Sequence, residues 1–191
     1  MLFLILFLSY LIGSIPFGFL LTKIFLKKDI RKIGSGNIGA TNALRTGNKL
    51  IGYSTLALDI GKAVILLLII KFYFSEYLFA SSIAVFLGHV FPIWLKFKGG
   101  KGVATYVGIL FCINIYLVIV FIASWLIIFT LTKYSSLASM MSSLFVPLTS
   151  YFLLGDINYY FYIIFSLLIL ITHRENIKRL KNNTESKTKI Y

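Results

Sequence analysis

Long apolar runs separated by short polar segments dominate the chain. The runs lie at 2–22, 51–74, 77–95, 103–132, 137–154 and 159–172. A helix that crosses about 30 Å of hydrocarbon needs about 20 apolar residues, so most of these runs can span a bilayer. They are continuous rather than alternating, which favours helices over a membrane barrel. The pattern predicts an all-α, polytopic integral membrane helix bundle.

The run at 103–132 decides the number of spans. It is longer than the about 20 residues of one ordinary crossing, so we expect a short helix, a turn near Asn114 and a second helix. A single long helix would give six spans and would place Lys133 and the C-terminal tail on opposite sides. Seven spans place 17 of the 19 Lys and Arg residues on one side, as the cytoplasmic face requires. We therefore predict seven transmembrane helices, with the N-terminus outside and the C-terminus in the cytoplasm.

The first run is interpreted as a span and not as a cleaved signal peptide. A signal peptide has a basic segment before its apolar stretch and a small-residue cleavage site after it. Neither is present, and the apolar sequence continues beyond Pro16 and Gly18. Without internal repeats or a linker, residues 1–191 are expected to form one integral membrane domain.

Composition narrows the class of protein further. The chain is 59% hydrophobic and 13% charged, whereas soluble domains have about 45–50% apolar and about 25% charged residues. This excludes a soluble enzyme and a disordered protein. A net charge of +13 would suggest nucleic acid in a soluble chain. Here the basic residues flank apolar runs, where they set orientation and attract anionic lipids, so we expect membrane lipids and no nucleic acid as partners.

The longest polar connection, at 27–50, contains the glycine-rich segment GSGNIGATN at 34–42. Its G-x-G-x-x-G spacing occurs in dinucleotide-binding loops, but that motif requires a preceding strand and a βαβ unit. In a helical chain, glycines instead let backbone N–H groups surround an anion, and Arg45 adds a guanidinium suited to phosphate. A flexible cytoplasmic loop is the alternative. The candidate residues are Ser35, Gly36, Asn37, Gly39, Asn42 and Arg45.

A second glycine-rich segment, FKGGKG at 97–102, places Lys101 among Gly99, Gly100 and Gly102. It permits close approach of the backbone to an anion, with an ammonium group in its midst. It is not a P-loop, because no Ser or Thr follows the lysine.

Two histidines and one pair of opposite charges are further candidates in or beside the spans. His173 and Asn176 are three residues apart, so a continuing helix would place them on one face. His89 is the second histidine, and two histidines without Cys or paired carboxylates do not favour a metal site. Asp59 and Lys62 can neutralise each other on one helix. This pair is either a structural ion pair or, as ionisable residues within a span, part of a functional site.

Six motifs, taken together, resemble one known family. In chain order they are SIPFGFLLTKI, GSGNIGATNALRTGN, LDIGK, GHVFPIWLKFKGGKGVAT, KYSSL and THRENIKRL. They resemble the bacterial membrane-bound acyl-phosphate:glycerol-3-phosphate acyltransferases over essentially the whole chain. The resemblance implies transfer of a fatty acyl group from acyl phosphate to the 1-hydroxyl of sn-glycerol 3-phosphate, which gives lysophosphatidic acid and inorganic phosphate. This is the first acylation of phospholipid synthesis.

The resemblance also implies a location and partners. The family is multi-pass in the bacterial cytoplasmic (inner) membrane, with the active site facing the cytoplasm. It needs no metal or other cofactor, and it is functionally linked to the enzyme that produces acyl phosphate.

The residue roles that we expect follow from matching these motifs. The catalytic candidates are Ser35, Arg45, Lys101, His173 and Asn176. The substrate-binding candidates are Gly36, Asn37, Gly39, Asn42, Lys62, His89, Gly99, Gly100, Gly102 and Ser136. Because phosphate is a good leaving group, the site needs charge stabilisation and orientation more than a strong nucleophile. Either His173 or a phosphate oxygen of the substrate accepts the hydroxyl proton, and the choice among Ser135, Ser136 and Ser139 stays open.

Two other classes of protein compete with an enzyme. Basic loops and short helices also suit a small anion transporter or channel. However, the polar segments are predicted at one membrane face and not near the midplane, and no inverted repeat is evident. A basic membrane scaffold would leave the glycine-rich loops without a purpose.

Overall fold

The computed structural model describes residues 1–188, and this part of the chain consists of helices joined by turns, without strands. The ten α-helices within it are α1 (Leu2–Gly13), α2 (Phe17–Phe25), α3 (Ala40–Leu44), α4 (Lys49–Tyr73), α5 (Leu78–Val90), α6 (Val103–Ile113), α7 (Ile115–Thr132), α8 (Ser135–Phe152), α9 (Tyr159–Thr172) and α10 (Arg174–Lys181). Short 3-10 helices lie at Ile30–Lys32, Ser75–Tyr77 and Ile93–Leu95. The predicted all-α class is confirmed.

The chain divides into two compact units, Met1–Cys112 and Ile113–Tyr191. In the first unit, α1 packs on α5, and both α2 and α5 pack on α4. In the second unit, α7 and α9 both pack on α8. The prediction of a single domain over 1–191 stays a prediction.

Two turns interrupt apolar runs that the hydrophobic pattern leaves continuous. Asn114 has extended backbone, and its Oδ1 accepts a hydrogen bond of 2.9 Å from the Tyr116 N–H at the start of α7. This side-chain cap confirms the predicted turn near Asn114. The first run, predicted as one helix over 2–22, is two helices. Pro16 lies between them and has no N–H with which to continue the hydrogen bonding of α1.

Large apolar side chains cover much of the outer surface. Phe3, Phe72 and Leu131 are 82%, 88% and 79% exposed, which is unfavourable in water and suits contact with lipid. Within residues 1–188, three segments are long and apolar enough to cross a membrane: Leu2–Phe25, Ser75–Leu95 and Ile115–Thr132. The count of seven spans and the orientation of the termini stay predictions.

A small apolar core anchors the polar connection between α2 and α4. Ile30, Ile38 and Ala43 of this connection are buried together with Ile51 of α4 and with Leu95. These contacts hold a polar segment against the helices, so its backbone has a defined shape.

Candidate active site

Asn42 holds the first glycine-rich loop together. This residue is 2% exposed, and its Nδ2 donates hydrogen bonds of 2.7 Å to the Asn37 carbonyl and 2.9 Å to the Ile33 carbonyl. Its Oδ1 accepts a hydrogen bond of 3.0 Å from the Ser35 N–H. These partners are backbone groups of the loop itself, so Asn42 shapes the loop from within.

Arg45 and Ser35 lie at the surface of this loop. Gly34 has a φ of +53°, in the left-handed region that favours glycine. A Cβ at Gly34 would overlap the Asn42 side chain and would lie 2.8 Å from Arg45 Cδ. The half-buried Arg45 side chain therefore runs across Gly34, which precedes the exposed Ser35. A guanidinium group and a hydroxyl at one loop surface suit a phosphate.

The other predicted residues of this loop form its turns. Gly36 has a φ of +72°, and its N–H donates to the Ile33 carbonyl at 2.9 Å. Gly39 is the N-cap residue of α3. The structure thus brings six predicted residues into one folded loop: Ser35, Gly36, Asn37, Gly39, Asn42 and Arg45.

An exposed ion pair lies at the beginning of the same connection. Arg31 Nη2 is 2.7 Å from Asp29 Oδ2, and Arg31 Nε is 3.0 Å from Asp29 Oδ1. The side-chain hydrogen bond from Arg31 lowers the pKa of Asp29 to about 2. Asp29 is therefore ionised at neutral pH, and the charge of Arg31 is already balanced within this pair.

The second glycine-rich loop is packed against the end of α5. The Gly99 N–H donates to the Val90 carbonyl at 3.0 Å, and the Gly100 N–H donates to the His89 carbonyl at 3.1 Å. A Cβ at Gly100 would overlap the imidazole of His89. Position 100 therefore requires glycine for a contact within the chain, whether or not a ligand is bound.

Lys101 is attached to this fixed backbone. It is half-buried and lies between Gly100 and Gly102, which are both buried. When an anion binds to a loop whose backbone is already held in place, the loop loses little conformational entropy. A fixed backbone suits the binding of an anionic group at Lys101, and this role of Lys101 stays a prediction.

A buried polar cluster adjoins the second loop in the first unit. Lys62 Nζ donates hydrogen bonds of 2.8 Å to Asp59 Oδ1, 2.9 Å to His89 Nδ1 and 2.9 Å to the Ile15 carbonyl. The side chains of Asp59, Lys62 and His89 are 3%, 2% and 4% exposed. The predicted ion pair between Asp59 and Lys62 is confirmed. The structure places Lys62 and His89, both predicted to bind substrate, inside this cluster.

In the second unit, three donors converge on the carboxylate of Glu185. Ser136 Oγ and Asn176 Nδ2 each donate to Oε1 at 2.7 Å, and Arg179 Nε donates to Oε2 at 2.7 Å. Burial by itself would raise the pKa of Glu185, but the hydrogen bonds from Ser136, Arg179 and Asn176 outweigh it and lower that pKa. The cluster joins the start of α8 to α10 and to the segment that follows α10.

Asn176 keeps one polar atom for a further contact. A carboxylate only accepts hydrogen bonds, so Nδ2 must face Glu185 and Oδ1 must face away from it. Within residues 1–188, the buried Oδ1 of Asn176 has no hydrogen-bond partner. A ligand hydroxyl that donates to Oδ1 would satisfy it.

His173 lies between α9 and α10 and is 2% exposed. Its Nδ1 is 2.8 Å from the Ile169 carbonyl. Because a carbonyl only accepts, Nδ1 carries a hydrogen, and Nε2 is the acceptor atom of the neutral ring. The expectation of one helix continuing through His173 is wrong, since α9 ends at Thr172 and His173 is the N-cap of α10. Asn176 is in the first turn of α10, so both residues still lie at one helix end.

Ser136 is the candidate serine that meets Asn176 through a shared partner, Glu185. Ser139 Oγ donates to the Ser135 carbonyl at 2.9 Å and accepts a hydrogen bond of 3.1 Å from Trp125 Nε1. The hydroxyl of Ser139 is therefore engaged between α7 and α8. Between these two serines, the link to Asn176 favours Ser136.

An apolar cavity of about 320 Å³ lies in the first unit. Its lining residues come from the turn between α1 and α2, from α2 itself and from the 3-10 helix after α5; they are Ile15, Pro16, Phe19, Leu20, Trp94 and Leu95. The cavity suits a hydrocarbon group, because its walls are almost wholly apolar.

The sequence reasoning missed two residues of the second unit, Glu185 and Arg179. Glu185 is the one acidic residue after Glu175 in a basic tail. A single acid among basic residues could have indicated an ion pair there. Among residues 1–188, no three His, Cys, Asp or Glu side chains are grouped so that they could hold a metal ion.

Comparisons with known proteins agree with one another. The chain matches the family described as glycerol-3-phosphate acyltransferase over residues 3–183. It is 67% identical to the glycerol-3-phosphate acyltransferase of Pelagibacter ubique, over 96% of this chain and 95% of that relative. It is 48% identical to the protein of the same name from Bartonella henselae, over 96% and 90% of the two chains.

Solved structures give the same result. The chain is similar to PlsY (YgiH), an integral membrane glycerol 3-phosphate acyltransferase, in its glycerol 3-phosphate form. The TM-score is 0.89 at 36% identity, over 97% of this chain and 94% of that one. The lysophosphatidic acid form of PlsY gives a TM-score of 0.87 at 35% identity, with the same coverage.

The helical fold, its apolar surface and these relatives define an integral membrane acyltransferase. The enzyme class is thereby confirmed over the transporter and scaffold alternatives. The chain belongs to the glycerol-3-phosphate acyltransferase family, and the resemblance of its motifs to that family is confirmed. The roles assigned to individual site residues stay predictions.

Proposed function

We propose that this acyltransferase moves a fatty acyl group from acyl phosphate to the 1-hydroxyl of sn-glycerol 3-phosphate. The observation that carries the proposal is the likeness to PlsY over 97% of the chain, since the two PlsY structures are its glycerol 3-phosphate and lysophosphatidic acid forms. The acceptor oxygen bonds to the acyl carbonyl carbon, and the bond from that carbon to the phosphate oxygen breaks. The products are lysophosphatidic acid and inorganic phosphate.

Acyl phosphate suits a site without a strong nucleophile. Phosphate leaves readily, so the protein must mainly hold two anions and stabilise the charge that develops between them. In the first unit, Lys101 binds the phosphate of the donor, and the glycine loop that carries it is held by the bonds of Gly99 and Gly100 to α5. Arg45 and Ser35 bind phosphate at the surface of the other loop, where the Arg45 side chain runs across Gly34.

In the second unit, His173, Asn176 and Ser136 hold the acceptor. The hydrogen bond from His173 Nδ1 to the Ile169 carbonyl leaves Nε2 as the acceptor atom of the neutral ring, suited to take the proton of the attacking hydroxyl. A phosphate oxygen of the substrate is the alternative acceptor. Asn176 Oδ1 receives a hydroxyl hydrogen of glycerol 3-phosphate.

The cavity at the turn between α1 and α2 binds part of the acyl chain. Its lining of Ile15, Pro16, Phe19 and Leu20 on one side and Trp94 and Leu95 on the other is apolar, and hydrocarbon burial contributes about 0.8 kcal/mol per CH₂. The phosphate head of the same molecule remains with the polar loops.

The membrane is the bacterial cytoplasmic (inner) membrane, and the active site faces the cytoplasm. The distribution of Lys and Arg supports this orientation, because 17 of 19 lie on one side of a seven-span topology. Acyl phosphate is a reactive anhydride, so a functional link to the enzyme that produces it is part of the proposal.

A phosphate-release assay tests the reaction. Purified protein in detergent receives palmitoyl phosphate with or without glycerol 3-phosphate, and lipids are then extracted. We expect release that depends on the acceptor, with one lysophosphatidic acid formed for each phosphate. Arg45→Lys keeps the charge but removes the planar fork, so we expect higher KM values. Acylation from acyl-CoA instead, or no acylation by folded protein, contradicts the proposal.

A further inference from the structure

In the buried cluster of Asp59, Lys62 and His89, the Lys62 ammonium uses all its donors without a ligand. An ammonium group has three N–H donors, and the three acceptors around Lys62 lie at 2.8–2.9 Å. Because Lys62 can only donate, His89 Nδ1 is an acceptor, and the ring hydrogen of neutral His89 is on Nε2. The ion pair of Asp59 and Lys62 is neutral overall, so its burial does not call for a further charge.

The same cluster is in contact with the second glycine loop. One edge of the His89 imidazole meets Lys62, and the opposite edge meets Gly100 so closely that a Cβ there would overlap Nε2. The carbonyl of His89 also accepts the N–H of Gly100 at 3.1 Å. The imidazole is therefore held between an ammonium group and the backbone that carries Lys101.

Lys62 also fixes the first helices to this arrangement. It donates to the Ile15 carbonyl at the turn between α1 and α2, so one side chain of α4 is bonded to α5 and to that turn. A movement of His89 would disrupt the hydrogen bonds of Lys62 and would leave a buried charge without its partners.

We infer that Asp59, Lys62 and His89 are positioning residues that set the place of the loop carrying Lys101, and not residues that touch substrate. This inference rests on the proposed function, in which Lys101 binds the phosphate of the donor. It replaces the sequence-based expectation that Lys62 and His89 bind substrate. The burial of the three side chains and the full set of acceptors around the Lys62 ammonium carry this assignment.

The first test compares changes at two lysines of α4. Lys62→Met removes the three N–H donors and keeps a long side chain. This single change leaves the buried Asp59 carboxylate without a counter-charge, so a second variant combines it with Asp59→Asn. Lys71→Met is the matched control, because Lys71 is on the same helix and donates to the Cys112 carbonyl at 2.7 Å. Each protein is assayed for acyl transfer, thermal unfolding, and hydrogen exchange of residues 96–102.

We expect the neutral double variant to remain folded while its loop loosens. The amides of 96–102 should exchange at least about tenfold faster, and KM for acyl phosphate should rise at least about tenfold, with a smaller change in kcat. Lys71→Met should match the unmodified protein in both measurements. Unchanged exchange in a folded double variant overturns the inference. Exchange does not depend on acyl transfer, so this outcome is separate from a failure of the proposed function.

A second test uses the contact between Gly100 and His89. Gly100→Ala should lower kcat/KM at least about tenfold, because its Cβ overlaps the imidazole. His89→Asn shortens the side chain and keeps an acceptor for Lys62. We therefore expect Gly100→Ala with His89→Asn to be more active, and slower to exchange at 96–102, than Gly100→Ala alone. A double variant that is no better in either measurement contradicts the inference.

Discussion

Asn42 illustrates how one buried side chain organises a loop. Ser35 and Arg45 could be singled out from the sequence, because hydroxyl and guanidinium groups beside glycines suit phosphate wherever they occur. The role of Asn42 could not be read in this way. It depends on carbonyls of Asn37 and Ile33 that face the side chain only after the chain has turned.

Replacement of Asn42 by Asp tests this role. A carboxylate cannot donate to the two carbonyls, and each buried acceptor left unpaired costs about 1–3 kcal/mol. We expect acyl transfer to fall at least about tenfold and the amides of 30–45 to exchange faster. Asn48→Asp is the matched control, since Asn48 Oδ1 accepts the Ile51 N–H at 3.1 Å and Asp is an equally good N-cap. Equal activity of the two variants would argue against a shaping role for Asn42.

The identity of the proton acceptor is also a question at residue scale. His173→Gln keeps a polar side chain but removes the basic ring nitrogen. If the imidazole accepts the hydroxyl proton, kcat should fall by about 10²–10⁴ with little change in KM. Thermal unfolding of the same sample verifies that the variant is folded. Near-normal turnover would assign the proton to a phosphate oxygen of the substrate.

At the scale of elements, the tail after α10 is bonded to the start of α8. The Glu185 carboxylate joins Ser136, Asn176 and Arg179, and the Thr188 N–H donates to the Lys133 carbonyl at 2.9 Å. The sequence placed most of the membrane helices close to their observed positions, because apolar length and the turn at Asn114 are local signals. It did not reveal this link, because the partners of Glu185 are up to 49 residues away.

Glu185→Gln should destabilise this link and alter its dependence on pH. The pKa of Glu185 is below the ordinary value of 4.5, so its ionised form stabilises the fold fully above pH 4.5. That stabilisation is lost as pH falls through the lowered pKa. We expect Glu185→Gln to unfold at a lower temperature than the unmodified protein at neutral pH. The variant should also lack the part of the loss of stability at acidic pH that is due to protonation of Glu185.

Glu175→Gln provides the control, because Glu175 is an exposed acid on α10. The unmodified protein and the two variants are compared by thermal unfolding in detergent between about pH 3 and 7, a range that includes the ordinary pKa of Glu. A melting temperature for Glu185→Gln equal to that of Glu175→Gln at neutral pH would show that the carboxylate contributes nothing.

At the scale of the whole molecule, charge distribution predicts topology. The turn at Asn114 is the feature that makes an odd number of spans possible, and the sequence predicted it because thirty apolar residues exceed one crossing of about 20. The interruption at Pro16 was not predicted, because the first run has the length of an ordinary span.

Cysteine labelling tests the seven-span topology. In a Cys112→Ala background, Glu76→Cys places a thiol in the turn before α5, and Asn182→Cys places one after α10; both positions are exposed. In spheroplasts, a membrane-impermeant maleimide should label position 76 directly and position 182 only after permeabilisation. The reverse pattern, or equal labelling, would contradict an external N-terminus and a cytoplasmic C-terminus.

The boundary between the two units after Cys112 has a consequence for synthesis. Chains emerge from the ribosome N-terminus first, at about 5–20 residues per second, and compact units fold as they are completed. The hydrogen bonds described for both glycine loops and for Lys62 join residues within the first 112 positions. The first unit can therefore assemble in the bilayer while the translocon is still receiving α7, so the order of the chain sets the order of assembly.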